Sequence, residues 1–300
     1  MTHPNKGTLF LAYIVTIFLW ASAFPAIRVA LTAFSPQHLS LLRLLIGSVV
    51  LVLVAACLRI SLPKVRDWPV ILVLGGLGFS VYHTALNIGE QTVEAGPASL
   101  LVSTTPLFAA FLVTAFFREK LGWMKWIGAL ISLGGIAMIS LEGSGSSFTW
   151  QTGVWIILLA ALAESVYFVF QHAYLTKYGV IPFTMYAIWA GTLWMLIFFP
   201  GLGQAIGEAP LEVTWVVVYL GVFPTVLPYF TLAYLTIHSG ASEATSALYV
   251  TPVLSFLLAW IWLGETPTVV TLIGGGITLL GVYLSHSHFQ KKTKSVPVYE

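Results

Sequence analysis

AGPASLLVSTTPLFAAFLVTAFFREKLGWMKWIGALISLGGI, residues 95–136, is answered by ASEATSALYVTPVLSFLLAWIWLGETPTVVTLIGGGITLLGV, residues 241–282. Set side by side without a gap, the two stretches agree at 11 of 42 positions, and each pair lies 146 residues apart. Apolar bias inflates the Leu, Ile and Ala matches. The weight therefore rests on Pro106 with Pro252, Glu119 with Glu265, Gly128 with Gly274 and Gly135 with Gly281. A repeat of this length makes the fold two related halves.

The chain is 58% hydrophobic and 8% charged, against about 25% charged in a soluble domain, and its mean hydropathy is +0.92. It is mostly membrane-spanning. No basic, aromatic-interleaved patch for nucleic acid is present. The single cysteine, Cys57, sits in an apolar run and reads as a small core residue. Lys6, the following apolar run and Ala21-Ser22-Ala23 look like a signal peptide. That reading is rejected, because the run is long enough to span and cleavage would leave the first half one helix short.

A spanning helix needs about 20 apolar residues. Apolar runs between charges and Gly/Pro breaks give ten spans: 8–28, 39–58, 68–88, 95–117, 123–141, 151–172, 182–200, 213–236, 241–263 and 268–286. The expected fold is an all-α membrane protein of ten transmembrane helices in two inverted five-helix repeats. The first repeat covers 1–143 and the second 148–290, with a short flexible junction around Glu142–Ser147 and a basic cytoplasmic tail at 291–300. With both termini cytoplasmic, 11 of the 13 Lys and Arg fall on cytoplasmic segments, as the positive-inside rule requires. Arg118-Glu119-Lys120 and Lys125 in the first copy become Gly264-Glu265-Thr266 and Thr271 in the second. The glutamate stays and the positive charges go, as inversion of an odd-numbered repeat demands. Inverted repeats are characteristic of secondary transporters, whose sites lie near the midplane where the halves meet.

No catalytic or metal-binding constellation appears: there is no HExxH, GxSxG, P-loop or CxxC, and no cofactor motif. The candidate residues are instead intramembrane polar ones. Pro106 and Pro252 are read as helix kinks, each freeing a carbonyl one turn earlier that protein or a wet cavity must satisfy. Ser99 and Ser103 share the face of Pro106; Thr245 and Tyr249 share that of Pro252. Glu164 lies about 12 residues into its helix, close to the midplane at about 1.5 Å per residue. A carboxylate there is costly and marks a functional site by default; its roles are proton carrier or partner for a substrate amine. Tyr167 and Gln171 continue its face. His83 and Asn87 form a second polar face, and His83 is a candidate carboxylate partner or proton carrier. Trp20 and Tyr229 are candidate stacking surfaces. Arg28 reads as a snorkelling residue and Arg43 as a partner for Glu90 or Glu94 at the external side. Glu119 and Glu265 read as caps or loop ion pairs. The seven-residue spacing of Gly128 and Gly135, and of Gly274 and Gly281, marks close-packing helices between the halves or between two subunits, so monomer and homodimer both stay open.

Pro106-Leu107-Phe108, Arg118-Glu119-Lys120-Leu121, Trp126-Ile127-Gly128 and Gly134-Gly135-Ile136 resemble the EamA family of the drug/metabolite transporter superfamily. So do Pro252-Val253-Leu254, Gly264-Glu265, Ile273-Gly274 and Gly281-Val282, and the early Trp20-Ala21-Ser22-Ala23-Phe24 and Leu41-Leu42-Arg43-Leu44. The resemblance covers nearly the whole chain as two tandem domains. It implies ten helices, an inverted repeat, a central cavity lined by helices 1, 3, 4, 6, 8 and 9, and export of small metabolites, often amino acids. Glu90-Gln91 and Glu164 are more polar than the family's usual residues there. The expected function is an inner-membrane secondary transporter that exports small polar metabolites, amino acids first, by alternating access. Its partners are the small-molecule substrate and the bilayer. The alternatives are an efflux protein for lipophilic cations that uses Glu164, and a non-transporting membrane enzyme.

Overall fold

In lipid every backbone polar group must be satisfied within the protein, so an apolar chain of this kind folds as helices. The computed structural model describes residues 6–117, 123–142, 152–239 and 247–287, and among these all regular structure is helical. The first half holds α1 (Lys6–Ala30), α2 (Pro36–Leu58), α3 (Trp68–Gly75), α4 (Tyr82–Gly89), α5 (Ala95–Val102), α6 (Thr105–Phe117) and α7 (Trp123–Glu142). The second holds α8 (Thr152–Phe170), α9 (His172–Tyr178), α10 (Val180–Met195), α11 (Leu202–Glu208), α12 (Leu211–Val222), α13 (Leu227–Ser239), α14 (Ala247–Leu263) and α15 (Val269–Ser287). Seven stretches among the described residues are long and apolar enough to cross a membrane, and three shorter apolar helices cover Trp126–Ile139, Val250–Leu263 and Val269–Leu284.

Several expected spans are not single helices. The third runs from α3 through a π-helical segment, Gly76–Val81, into α4. There a Cβ at Gly78 would stand 2.5 Å from the Tyr167 ring, so only glycine lets the two helices meet at this depth. The fourth breaks between Val102 and Thr105, so Pro106 opens a new helix rather than bending an old one. Pro252, its counterpart, lies inside continuous α14. The eighth span breaks between α12 and α13 around Phe223–Val226, which carries Pro224 and is followed by Pro228.

The halves interlock. α1 packs against α12, α13 and α14 of the second half, while α8 packs against α4, α5 and α6 of the first. α7 and α15, counterparts in the repeat, lie against each other. A Cβ on Gly281 would stand 2.5 Å from the Gly128 carbonyl, and one on Gly274 would stand 2.9 Å from that of Gly135. The low end of each helix thus meets the high end of the other, and these two equivalent helices run antiparallel. The glycine faces expected to pack do so within one chain.

Candidate functional site

Each broken helix exposes a carbonyl that its proline has stripped of a donor, and at each break a threonine hydroxyl takes over. Pro106 frees Val102, and Thr105 Oγ1 donates to the Val102 carbonyl at 2.7 Å. Pro224 removes the usual donor to Leu220, whose carbonyl accepts instead from the Thr225 backbone N–H at 3.2 Å and from Thr225 Oγ1 at 2.7 Å. Both hydroxyls also touch a buried charge from the opposite half. Arg43 Nε donates to Thr225 Oγ1 at 2.6 Å, and Thr105 Oγ1 lies 3.1 Å from Glu164 Oε2. Ser165 adds a bond to the same break, its Oγ donating to the Thr105 carbonyl at 2.8 Å. Each half therefore holds in place the other half's charge.

Arg43 and Glu164 are 3% and 2% exposed, and both reach one small cavity. α1 contributes Trp20, Ala23 and Phe24 to its wall, α4 contributes Tyr82 and Leu86, and α5 contributes Ser99 and Val102, with Ser103 at the break. Tyr229 of α13 and Thr251 of α14 close it. Trp20 and Tyr229 meet edge to face with centroids 5.6 Å apart. Ser99 and Ser103 give their protons to Gly96 and Leu100 carbonyls, each at 2.6 Å, which leaves their oxygens as acceptors. The cavity has about 20 Å³ of space for water centres, room for one or two waters.

The sequence-selected residues divide in two. Trp20, Ser99, Ser103, Glu164 and Tyr229 line the cavity. Tyr167 instead packs in the core against Phe79, 5.3 Å between centroids. His83 and Asn87 do not line the cavity. His83 Nδ1 lies 2.7 Å from the Phe79 carbonyl, which makes Nδ1 the donor, and Nε2 has no partner. Asn87 Nδ2 donates to Ser40 Oγ at 2.8 Å and to the Pro36 carbonyl at 3.3 Å. The side chain of Tyr249 lies outside the described residues, as do Glu119, Thr245 and the tail 291–300.

Two expectations about the arginines are corrected. Arg43 does not hydrogen-bond Glu90: among the described residues both Glu90 carboxylate oxygens are buried without a partner, as is Arg43 Nη1. Its guanidinium is drawn inward by Thr225, since the repeat interface offers the nearer oxygen. Arg28 does not snorkel freely. Its Nε pairs with Glu265 Oε1 at 3.2 Å and its Nη1 donates to the Glu90 carbonyl at 2.5 Å. Glu265 Oε2 in turn accepts from the Ala95 backbone N–H at 3.0 Å, capping α5. Glu265 is thus both a cap and an ion-pair partner, as expected of it.

At the opposite end of the bundle, reached by following α1 and α2 back, Asp67 pairs with Lys177 and accepts from the Tyr178 hydroxyl. Asp67 holds the Lys177 ammonium above its ordinary range, chiefly through this hydrogen bond. An ion pair between halves therefore stands at each end, with the cavity lined by Arg43 and Glu164 between them.

The EamA-like transporter family matches residues 6–141 and 151–286. The chain belongs to that family. It is 49% identical over 286 residues to the "Uncharacterized transporter YdfC" of Bacillus subtilis, covering 95% of this chain and 93% of that one. It is 36% identical over 273 residues to the "Probable terminal-alkyne amino-acid exporter" of Streptantibioticus cattleyicolor, covering 91% of each. A solved crystal structure matches at a TM-score of 0.64 and 19% identity, over 97% of this chain and 100% of the other; that likeness shows the fold. As an EamA-like protein this chain is a multi-pass membrane transporter and not an enzyme, and its cavity is read accordingly.

The residues that sequence reasoning passed over are Arg43 as a cavity residue and the hydroxyls of Thr105, Thr225 and Thr251. A signal for the three threonines was present, in Thr105-Pro106, Pro224-Thr225 and Thr251-Pro252, where a hydroxyl adjoins the residue that frees a carbonyl.

Proposed function

We propose that this protein is an inner-membrane secondary transporter that exports small polar metabolites, amino acids or related compounds, by alternating access. Its ten helices form two inverted five-helix repeats with both termini in the cytoplasm. The observation that carries the reading is the small cavity between the halves, lined by a buried arginine and a buried glutamate, each tied to a hydroxyl of the other half. Charge at this depth is expensive and is kept for solute pathways. Rocking of the halves would open first one ion-paired end and then the other. The antiparallel crossing of α7 and α15 supports inversion, and the relative named as an amino-acid exporter supports the solute class. Arg43 in the cavity wall weighs against a lipophilic cation as the solute.

Glu164 is also the residue suited to proton coupling. The Thr105 hydroxyl has one proton and two acceptors to serve, the Val102 carbonyl and a charged Glu164. Protonating Glu164 supplies the missing proton to that contact. His83 Nε2, buried without a partner, is the second candidate carrier. The test is uptake of labelled amino acids into proteoliposomes, with and without an imposed pH gradient, for wild type and Glu164→Gln. Accumulation that follows the gradient in wild type and becomes mere equilibration in the variant is expected. Uphill transport unchanged in Glu164→Gln removes the coupling role, and absence of flux for every amino acid removes the solute class.

A further inference from the structure

The Arg43 guanidinium spends Nε on Thr225 and leaves Nη1 buried with no hydrogen-bond partner among the described residues. An unmet donor on a charged group is costly, and the cost is recovered when an acceptor arrives. Glu90, which interacts with Arg43 through space, bonds neither arginine through its carboxylate. It therefore does not meet that donor. Across the cavity Glu164 presents a carboxylate whose anchor is a single, already committed hydroxyl. The wall between them is apolar and aromatic, with Trp20, Phe24, Tyr82, Leu86, Val102 and Tyr229.

We infer that Arg43 and Glu164 form a zwitterion site for an α-amino acid with an apolar side chain, Arg43 taking the carboxylate and Glu164 the ammonium. This rests on the transporter reading above and names the chemistry of the same cavity. A guanidinium offers a planar fork that matches a carboxylate, and a carboxylate is the natural partner of an ammonium. Both groups line one small void, so a molecule held there can engage the two at once. A solute with only one charge leaves the opposite protein charge buried and unpaired, so the site rejects amines and carboxylic acids alike. Opening of the halves must enlarge the cavity to admit the side chain, which then lies against the aromatic wall.

The test is ligand-induced thermal stabilisation of the purified full chain in detergent, which needs no second compartment. The probes are L-leucine, L-methionine, L-phenylalanine and L-propargylglycine, together with the decarboxylated and deaminated forms of leucine, isopentylamine and 4-methylpentanoate. Wild type is expected to bind at least one amino acid about tenfold or more tightly than its one-charge analogues, the usual worth of a hydrogen bond to a charged group. Arg43→Gln should lose the preference over the amine, and Glu164→Gln the preference over the acid, each while keeping the other. A structural role would lower all affinities together and leave their order unchanged; that order in both variants overturns the assignment. If the variants do not fold, the wild-type ratios decide alone. Equal binding of leucine and either analogue, or no binding of any amino acid, overturns the site even where liposomes show flux of another solute. Amino-acid binding with the expected order but no flux would leave the site standing and overturn the transporter reading instead.

Discussion

Replacing Gly281 by alanine should destabilise the protein, while the same change at Gly276, five residues earlier on α15, should not. At Gly281 the new methyl would stand 2.5 Å from the Gly128 carbonyl and against the Ser132 backbone, well inside contact distance. The obstructing atoms are main chain of a packed helix and cannot rotate aside, so α7 and α15 must part. At Gly276 nothing lies within 4 Å of the added atom. Both substitutions gain the same helix propensity, up to about 1 kcal/mol. That gain cancels in the comparison and isolates the packing cost, roughly 1–3 kcal/mol for overpacking of this size. On the scale of roughly 2–4 °C per kcal/mol, Gly281→Ala should unfold about 2–12 °C below Gly276→Ala. The assay is the temperature at which the monodisperse detergent-solubilised peak is lost on size exclusion. Equal midpoints for the two variants would refute the close antiparallel crossing, and with it the main structural support for inversion.

Thr225→Val removes the hydroxyl that both satisfies the Leu220 carbonyl and receives Arg43 Nε; a loss of about 1.5–3 kcal/mol of stability is expected, largely restored in Thr225→Ser, as read by the same unfolding assay. Glu265→Gln breaks the Arg28 ion pair but keeps an acceptor for the Ala95 N–H. Because Arg28 is 31% exposed, the cost in stability should be about 1 kcal/mol or less, and labelling of a cysteine placed at Ser99 should accelerate from one side of the membrane only. Asp67→Asn should open the cavity to the other side in the same labelling experiment. Since Lys177 is raised from its ordinary 10.5 by Asp67, this pair's contribution is fully present below that value. It is lost only as pH rises through the higher folded value, so the ratio of labelling from this side in Asp67→Asn to that in wild type, which cancels the thiol's own ionisation, should stay constant from pH 6 to 9.

The fold was legible because its two determinants are one-dimensional. Apolar run length reports a span, and a fixed offset of 146 residues reports duplication. The glycine faces were legible for the same reason, as spacing along a helix fixes which residues share a side. Spacing gives only relative phase, however. His83 and Asn87 do share a face, but nothing in their spacing says that the face turns to Ser40 on α2 rather than to the cavity. Glu164 stood out as a lone carboxylate in an apolar run, and it lines the cavity. Arg43 looked like a residue near a helix end, whose long side chain normally reaches outward. Its inward course depends on the break at Pro224, where a hydroxyl comes within 2.6 Å of Nε. That break was not anticipated, although Pro224 and Pro228 bracket it, because hydropathy carries across both prolines.

The energetics of the latches and of the site fit one another in the proposed mechanism. Both ends are held by ion pairs with a partly exposed member: side-chain exposure is 31% for Arg28 and 42% for Lys177. The Arg28 latch contributes about 1 kcal/mol or less, and the more exposed Lys177 latch is weak as well. Arg43 Nη1 has no hydrogen-bond partner among the described residues, and a carboxylate that meets it contributes about 1.5–3 kcal/mol. A ligand shifts a conformational equilibrium only by its differential affinity for the two states. If the open state lets the carboxylate reach Arg43 and the empty sealed state does not, that difference exceeds the cost of one latch. It falls short of breaking both together with the Thr105 and Thr225 contacts that tie each charge to the other half. Occupancy then favours opening at one end at a time, which is the condition alternating access requires. The arrangement of threonine, proline and buried charge is what makes the two halves share that energy.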